Sequence, residues 1–255
     1  MAALLSVLSS LKELYLLFQS HQSRPDSESR HPPPLKRSVI PALTFFSFKG
    51  VVEYLEDLVT YIDAPQLGYF HIAFFNQIDF DGPRLAQFIS RTPALRDDEA
   101  YVEFNDSTAS VRLHSRSFTD PTIKISCREP DWQLSSVAQV CNTCLPPFSM
   151  IEVLYIEYRY SRLLWKNSTI ENTLWLELLL PFPAVKNLYL AKDFAPGIAA
   201  GLQENVETEV LPSLQNIFGK GLEPPGPFQG PFQESIGQFV AARELSGHPI
   251  AISVW

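Results

Sequence analysis

The sequence predicts an α/β fold, an irregular leucine-rich-repeat solenoid with a curved parallel sheet on one face, helices on the other and a β-rich insertion. Three observations lead to this prediction. A short apolar motif recurs along the chain, and segments with helical spacing of apolar residues lie between its copies. The strands also keep polar or aromatic residues at alternate positions. We expect residues 1–255 to form one leucine-rich-repeat-like domain.

The repeated motif is an apolar residue, two variable residues, an apolar residue, one variable residue and a last apolar residue. Its copies begin at Leu11, Leu43, Leu67, Ile151, Val185 and Leu214. The long step between the third and fourth copies predicts about two more units, one over residues 95–102 and one centred on residues 123–125. Each step is then long enough for one strand and one helix.

Helices are predicted between the strands, where apolar residues recur every three or four positions. The segments with this spacing are 51–62, 84–89, 132–144, 171–180, 198–206 and 232–245. Proline stands shortly before several copies of the motif, at Pro41, Pro65, Pro93, Pro183 and Pro212. Proline cannot continue a preceding helix, so it favours a new strand at these points.

A doubly wound sheet is the alternative for a chain that alternates strand and helix. Helices on both faces would require strands that are almost wholly apolar. The strands of this sequence keep polar or aromatic residues at every second position, which favours one covered face and one open face.

Some segments depart from the repeat. Residues 19–38 are polar and proline-rich, and we expect them to form a disordered loop inserted between the first two units. Residues 99–127 alternate polar and apolar side chains between turn sequences, which predicts a β-rich insertion. Residues 1–8 predict an apolar helix, frayed or covered by an upstream partner, and residues 250–254 predict a closing strand.

The composition bears on partners and location. The formal net charge of −8 disfavours nucleic acid, because phosphate binding requires clustered Lys and Arg. No apolar run reaches the length of a membrane span, so we expect no membrane association. Cys127, Cys141 and Cys144 are too few for a disulfide-dependent secreted scaffold, and we expect an intracellular protein of the cytoplasm or nucleus.

The predicted binding face consists of the side chains that flank the middle apolar residue of each motif, because these point away from the core. Seven of them, mostly aromatic, are expected to form a ridge that binds another protein: Tyr15, Phe45, Tyr69, His71, Tyr155, Tyr189 and Phe218. Aromatic side chains are frequent anchors of protein interfaces. They also suit half-exposed strands in general, so a purely structural role stays open.

No catalytic, cofactor or metal site is predicted. Cys141 and Cys144 form a C-x-x-C pair at the end of a predicted helix, where a buried structural role is favoured over redox chemistry or zinc. His71 and His248 lack an acid partner or nucleophile motif. Residues 219–221 are not a phosphate loop, and residues 97–99 lack the ligand spacing of a calcium loop. We therefore expect a protein that is not an enzyme.

Several strings in the chain carry a resemblance to a known family. They are FFNQ (74–77), ISCREPDW (125–132), ENTLWLELL (171–179), QFVAAR (238–243) and SGHPIA (246–251). With these strings, essentially the whole chain resembles the leucine-rich-repeat region of fungal F-box-like proteins. The resemblance implies a target-holding module of a ubiquitin-ligase receptor, whose F-box helices dock on the adaptor Skp1.

Residues 1–8 read as part of a repeat helix, so we expect no F-box in this chain. Skp1 and cullin are then partners only if an F-box is supplied upstream. The target protein is not identified by the sequence. The alternative is a structural remnant or truncated gene product without a ligase role, and co-purification of Skp1 or cullin would distinguish the two.

Overall fold

A computed structural model of the chain describes residues 10–19, 37–77, 79–92, 98–114, 121–145, 148–159, 170–204, 210–220 and 231–255. Its main sheet contains eight strands that follow the predicted motif units and two further strands. In chain order these ten strands are β1 (Glu13–Leu17), β3 (Phe45–Gly50), β5 (Tyr69–Phe74), β6 (Glu99–Phe104), β7 (Thr108–His114), β8 (Thr122–Ser126), β9 (Val153–Tyr158), β10 (Asn187–Ala191), β11 (Asn216–Lys220) and β12 (Ala251–Val254). A separate pair of short strands is formed by β2 (Ser38–Val39) and β4 (Ile62–Asp63).

Six α-helices lie in the described part of the chain. They are α1 (Val52–Tyr61), α2 (Pro83–Arg91), α3 (Pro130–Gln139), α4 (Asn172–Leu179), α5 (Ala195–Glu204) and α6 (Pro231–Leu245). Each overlaps one of the six segments with predicted helical spacing. Pro83 and Pro130 occupy the first turns of α2 and α3, where a missing backbone N–H costs no intrahelical hydrogen bond. A π-helical turn (Val140–Cys144) continues α3.

The main sheet is mixed and mostly parallel. Its strand order is β1-β3-β5-β8-β7-β6-β9-β10-β11-β12. Only β7 runs antiparallel to its neighbours among the described strands of this sheet, since it pairs with β6 and β8 in that sense. The structure therefore confirms the α/β class, and its described residues form a ten-stranded sheet and six helices.

One face of the sheet is buried and the other is open. Along β3 and β5, alternate side chains such as Phe46, Phe48 and Phe70 are almost completely buried. The helices supply the side chains that cover them, and the Phe88 ring of α2 lies 5.9 Å from that of Phe70. The intervening side chains are half-buried or exposed. This period-two pattern is the one expected of strands with a single covered face.

The predicted β-rich insertion at residues 99–127 contains three strands, β6, β7 and β8, and all three are part of the main sheet. β6 pairs with β9 and is not adjacent to β5. β8 pairs with β5, and β7 lies between β8 and β6. Phe104 of β6 and Ile125 of β8 are both completely buried. Both strands can thus complete the common core.

Within the predicted loop 19–38, residues 20–36 lie outside the described residues, as do residues 1–9. Ser38, the last residue of the predicted loop, lies in β2 and pairs with Ile62. The closing strand at residues 250–254 is β12. No helix of the described ranges is both long and apolar enough to span a membrane.

Buried polar side chains fix the connections around the sheet. The carboxylate of Glu56 on α1 accepts hydrogen bonds from the backbone N–H groups of Arg84 and Leu85 in the first turn of α2, at 3.2 and 2.6 Å. It thereby caps a neighbouring helix. Gln133 on α3 donates from Nε2 to the carbonyl oxygens of Asn105 and Cys127 at 2.8 and 2.7 Å, which ties the turn after β6 to the end of β8.

Candidate protein-binding face

The open face of the sheet carries the side chains that the sequence predicts for binding. Parallel pairing aligns corresponding positions of neighbouring strands, so that they form rows across the sheet. One such row passes through Tyr15, Ser47, His71, Thr122, Arg112, Tyr101, Tyr155, Tyr189, Phe218 and Ser253. Five of these ten residues are Tyr or Phe, and the row runs the full width of the sheet.

The first aromatic stack is formed by Tyr15, Phe45 and Tyr69, on β1, β3 and β5. The ring centroids of Tyr15 and Phe45 are 4.9 Å apart, and those of Phe45 and Tyr69 are 4.4 Å apart with an interplanar angle of 8°. Tyr15 is 54% exposed and Tyr69 is 39% exposed. These three rings present a continuous apolar surface with two hydroxyl groups at the first edge of the sheet.

The second aromatic stack is formed by Tyr101, Tyr155, Tyr189 and Phe218, on β6, β9, β10 and β11. Successive ring centroids lie 4.2, 4.4 and 4.3 Å apart, with interplanar angles of 2°, 18° and 10°. Neighbouring strands are held at nearly this spacing by their hydrogen bonds, so the backbone fixes the stacking distance. The result is a rigid strip of four rings.

The expected single ridge is therefore divided into two stacks. β8 and β7 lie between β5 and β6 and place Thr122 and Arg112 in the row where further rings would be needed. His71 belongs to neither stack, and burial together with the nearby charge of Lys124 lowers the pKa of its imidazole. The side chain of His71 is thus biased towards its neutral form.

Trp255 covers part of the second stack. Its indole lies 5.0 Å from the ring of Tyr189 and 5.5 Å from the ring of Tyr155, measured between centroids. The Nζ atom of Lys220 lies 4.8 Å from the centre of the indole, within cation–π range. Trp255 is thus an aromatic side chain that lies on the open face without being a member of either stack.

Paired charges border the second stack. Glu103 contacts Arg112 at 3.0 Å and Arg159 at 3.5 Å, and the carboxylate of Glu157 lies 3.0 Å from Nζ of Lys220. The guanidinium of Arg112 also lies 4.7 Å from the centre of the Tyr101 ring. Because these charges are matched on the face itself, an apolar group can approach the rings without desolvating an unpaired charge.

Tyr101 and Tyr155 of the second stack keep their hydroxyl protons near neutral pH. Burial raises the pKa of the Tyr101 hydroxyl above its ordinary value, and the neighbouring Tyr155 and Glu99 add to the effect. Burial likewise raises the pKa of Tyr155. Both hydroxyls are therefore neutral near pH 7 and can act as hydrogen-bond donors and acceptors, as an interface requires.

The cysteines offer no reactive thiolate. Cys141 and Cys144 are free and buried in the π-helical turn, where burial raises the pKa of Cys144 to about 12 and shifts that of Cys141 in the same direction. Burial also raises the pKa of Cys127. A nucleophilic cysteine needs a lowered pKa. Within the described ranges, no group of three or more His, Cys, Asp or Glu side chains could hold a metal ion.

A shallow cavity of about 560 Å³ lies at the ends of β5 and β8, beside the start of α3. Its lining residues are Asn76, Ser107, Thr108, Ser126, Cys127, Arg128, Glu129 and Trp132. The string at residues 125–132 thus lines the cavity with most of its polar side chains. Cys127 Sγ lies 3.6 Å from the carbonyl oxygen of Glu129, which satisfies the thiol locally.

Three residues of the face, Tyr101, Arg112 and Trp255, are not among those that the sequence predicts. The alternation in residues 101–104 places Tyr101 on the open side, but the treatment of 99–127 as an insertion removed it from the row. Arg112 is on the antiparallel strand, whose partners no local pattern identifies. Trp255 follows the closing strand and reaches Tyr155 only through the fold.

Fold and face together define an α/β protein with a ten-stranded, mostly parallel sheet, helices packed on its buried face and aromatic stacks on its open face. No protein-family model, curated protein or solved structure matches this chain.

Proposed function

We propose that this chain is a non-catalytic protein-protein interaction module, an irregular leucine-rich-repeat solenoid that binds its partner on the open face. The observation that carries the proposal is the pair of aromatic stacks on a sheet whose other face is covered. Rigid aromatic side chains bury a large area at low cost in conformational entropy, which suits interface anchors.

The solenoid assignment is supported by the strand order. β1, β3 and β5 are adjacent and parallel, as are β9, β10, β11 and β12, and a helix follows most of these strands in the chain. Helix α3 packs on α4, α4 on α5 and α5 on α6, so the helices form a row that follows the strands. Repeats that contact chiefly their sequence neighbours produce this arrangement.

The narrower proposal is that the module is the target-holding part of an F-box-like ubiquitin-ligase receptor. It rests on the strings at 74–77, 125–132, 171–179, 238–243 and 246–251. In this proposal the open face holds the target protein, while Skp1 and cullin join only through an F-box supplied upstream.

Site-specific photo-crosslinking tests the binding face directly. A benzophenone amino acid replaces Phe45 in the first stack, which exchanges one aromatic ring for another and disturbs the sheet little. In the native host we expect one adduct of defined mass, because a specific partner places the same atoms near the ring in every complex. The matched control carries the same amino acid at Trp132, which is 55% exposed on α3.

Identical adducts from both positions, or none from Phe45, would contradict a specific interface on the open face. Immunoprecipitation of the full chain with Skp1 and cullin tests the narrower proposal separately. An adduct at Phe45 without Skp1 or cullin in the precipitate would support the protein-binding module. It would contradict the role as a ubiquitin-ligase receptor.

A further inference from the structure

The residues after α6 fold back onto the open face. β12 pairs with β11 at the edge of the sheet, and the backbone N–H of Trp255 donates to the carbonyl oxygen of Gly219 at 3.1 Å. From there the indole of Trp255 crosses β11 and contacts Tyr189 and Tyr155. Ala191 is the last residue of β10 and pairs with Lys220.

β12 pairs with β11 at the edge of the sheet and exposes most of its side chains, although Ile252 packs against the core. Ala251 and Ser253 are exposed, Val254 is 47% exposed, and Ile252 is partly buried. An edge strand that buries so little apolar area opens at a low free-energy cost. Trp255, at 43% exposure, and Ile252, which packs against the core, are the apolar side chains that keep the segment in place.

We propose that residues 251–255 are an autoinhibitory strap, in which Trp255 occupies the second aromatic stack and a partner reaches that stack only after the strap lifts. This inference rests on the proposed protein-binding function and concerns its regulation. The occupant of the closed state is the chain's own indole. The partner that replaces it presents an aromatic side chain on an extended segment.

The chemistry of the occupied position supports this partner class. The indole lies against two tyrosine rings and under the ammonium group of Lys220, so stacking and cation–π attraction both favour a planar, electron-rich ring. Glu157 holds Lys220 at 3.0 Å and so fixes the ammonium beside the ring. An aliphatic side chain would gain burial alone.

Selection of peptides from a random phage-displayed library tests the strap. The library is applied in parallel to the full wild-type chain, to Trp255→Ala and to the control Trp132→Ala, which removes another exposed tryptophan on α3. We expect peptides with Trp, Tyr or Phe to be enriched on Trp255→Ala. Their affinity for Trp255→Ala, measured by fluorescence anisotropy, should exceed that for the wild type and for Trp132→Ala at least tenfold.

Two further variants locate the site and guard against misfolding. In the Trp255→Ala background, Tyr189→Ala should weaken the selected peptide at least tenfold, while Tyr69→Ala in the first stack should leave the affinity unchanged. Trp255→Phe keeps an aromatic ring in the strap and should bind the peptide nearly as weakly as the wild type. Far-UV circular dichroism and the thermal midpoint check that each variant is folded.

Equal peptide affinity for the wild type and Trp255→Ala would overturn the strap, as would selection without aromatic enrichment or binding that is insensitive to Tyr189→Ala. Hydrogen exchange adds a readout that needs no ligand. Amides of residues 251–255 should exchange at least tenfold faster than those of β10, and equal protection would also overturn the proposal. The crosslink from Phe45 lies in the other stack, so its outcome is independent of the strap.

Discussion

At the residue scale, Glu56 is a carboxylate placed where water scarcely reaches it. Its side chain is 3% exposed and caps α2 through two backbone N–H groups. Burial raises the pKa of Glu56, and the hydrogen bonds from Leu85 and Arg84 only partly offset that effect. The protonated form is therefore easier to reach in the folded chain than in the unfolded chain.

Replacement of Glu56 by Gln should change how stability depends on pH. A raised pKa in the folded state contributes stability below the unfolded value, and this contribution is lost as the pH rises through the folded value. The free energy of unfolding of the wild type should therefore fall relative to that of Glu56→Gln between acidic and neutral pH. Urea denaturation of both proteins across this range measures the difference.

The matched control for this experiment is Asp57→Asn, which removes the neighbouring carboxylate on α1. Asp57 pairs with Arg84 at 3.7 Å and is 41% exposed, so water screens its charge. The free energy of unfolding of Asp57→Asn should depend on pH in nearly the same way as that of the wild type over this range. Parallel stability curves for Glu56→Gln and the wild type would show that the Glu56 pKa is not raised by folding.

Residue-scale features differ in how far the sequence predicts them. The seven side chains of the predicted binding face follow from strand alternation alone, and six of them lie in the two stacks. Glu56 and Gln133 could not be found this way. The partners of Glu56 are 28 and 29 residues away, and Asn105, one of the two partners of Gln133, is 28 residues away. A capping or bridging role over such distances depends on the packing of elements that the local sequence does not encode.

At the scale of elements, two glycines within helices show opposite packing. A Cβ atom on Gly201 of α5 would lie 2.9 Å from the carbonyl oxygen of Asn172 and 3.2 Å from Cβ of Trp175, both on α4. A Cβ atom on Gly237 of α6 would meet nothing within 4 Å. Gly201 therefore permits the close approach of two helices, whereas Gly237 has no such role.

Alanine at these two positions should change stability in opposite directions. Gly201→Ala should destabilise the protein by about 1 to 3 kcal/mol, since the extra methyl group overpacks the contact between α4 and α5. Gly237→Ala should stabilise it by about 0.5 to 1 kcal/mol, because alanine restricts the unfolded chain and favours helix. Thermal unfolding of both variants gives the sign of each change in stability. Changes of the same sign would contradict the difference in packing between the two glycines.

The elements themselves were largely predictable from the sequence, while their order in the sheet was not. Apolar periodicity located the six helices and the strands of the motif. The alternation in residues 99–127 also revealed β6, β7 and β8, but not that β6 would pair with β9 across a large separation in sequence. Strand pairing depends on which apolar faces complete the common core. Alternation within a strand does not indicate which other strand lies beside it.

At the scale of the whole molecule, one hydrophobic core extends under all parts of the main sheet. Phe104 of β6 lies near its middle with no exposed surface. Its ring centroid is 6.5 Å from that of Trp175 on α4 and 5.5 Å from that of Phe194 before α5. It joins the central strands of the sheet to the helices of the second half.

Phe104→Ala should destabilise the protein by about 3 to 5 kcal/mol, the cost of a cavity in a well-packed core. Phe45→Ala on the open face removes the same side chain and should cost only about 1 kcal/mol. Urea denaturation followed by tryptophan fluorescence and by circular dichroism measures both losses. A loss of similar size for the two variants would contradict the central position of Phe104.

The exchange of β6 and β8 in the sheet order has a consequence for dissecting the protein. β8 comes later in the chain but lies beside β5, and β6 comes earlier but lies beside β9. A cut anywhere between residues 105 and 121 leaves each fragment with a strand that belongs next to the other fragment. Each half of the sheet thus contains a strand from the other half of the sequence. Deleting repeat units one at a time is therefore not possible in the middle of this chain.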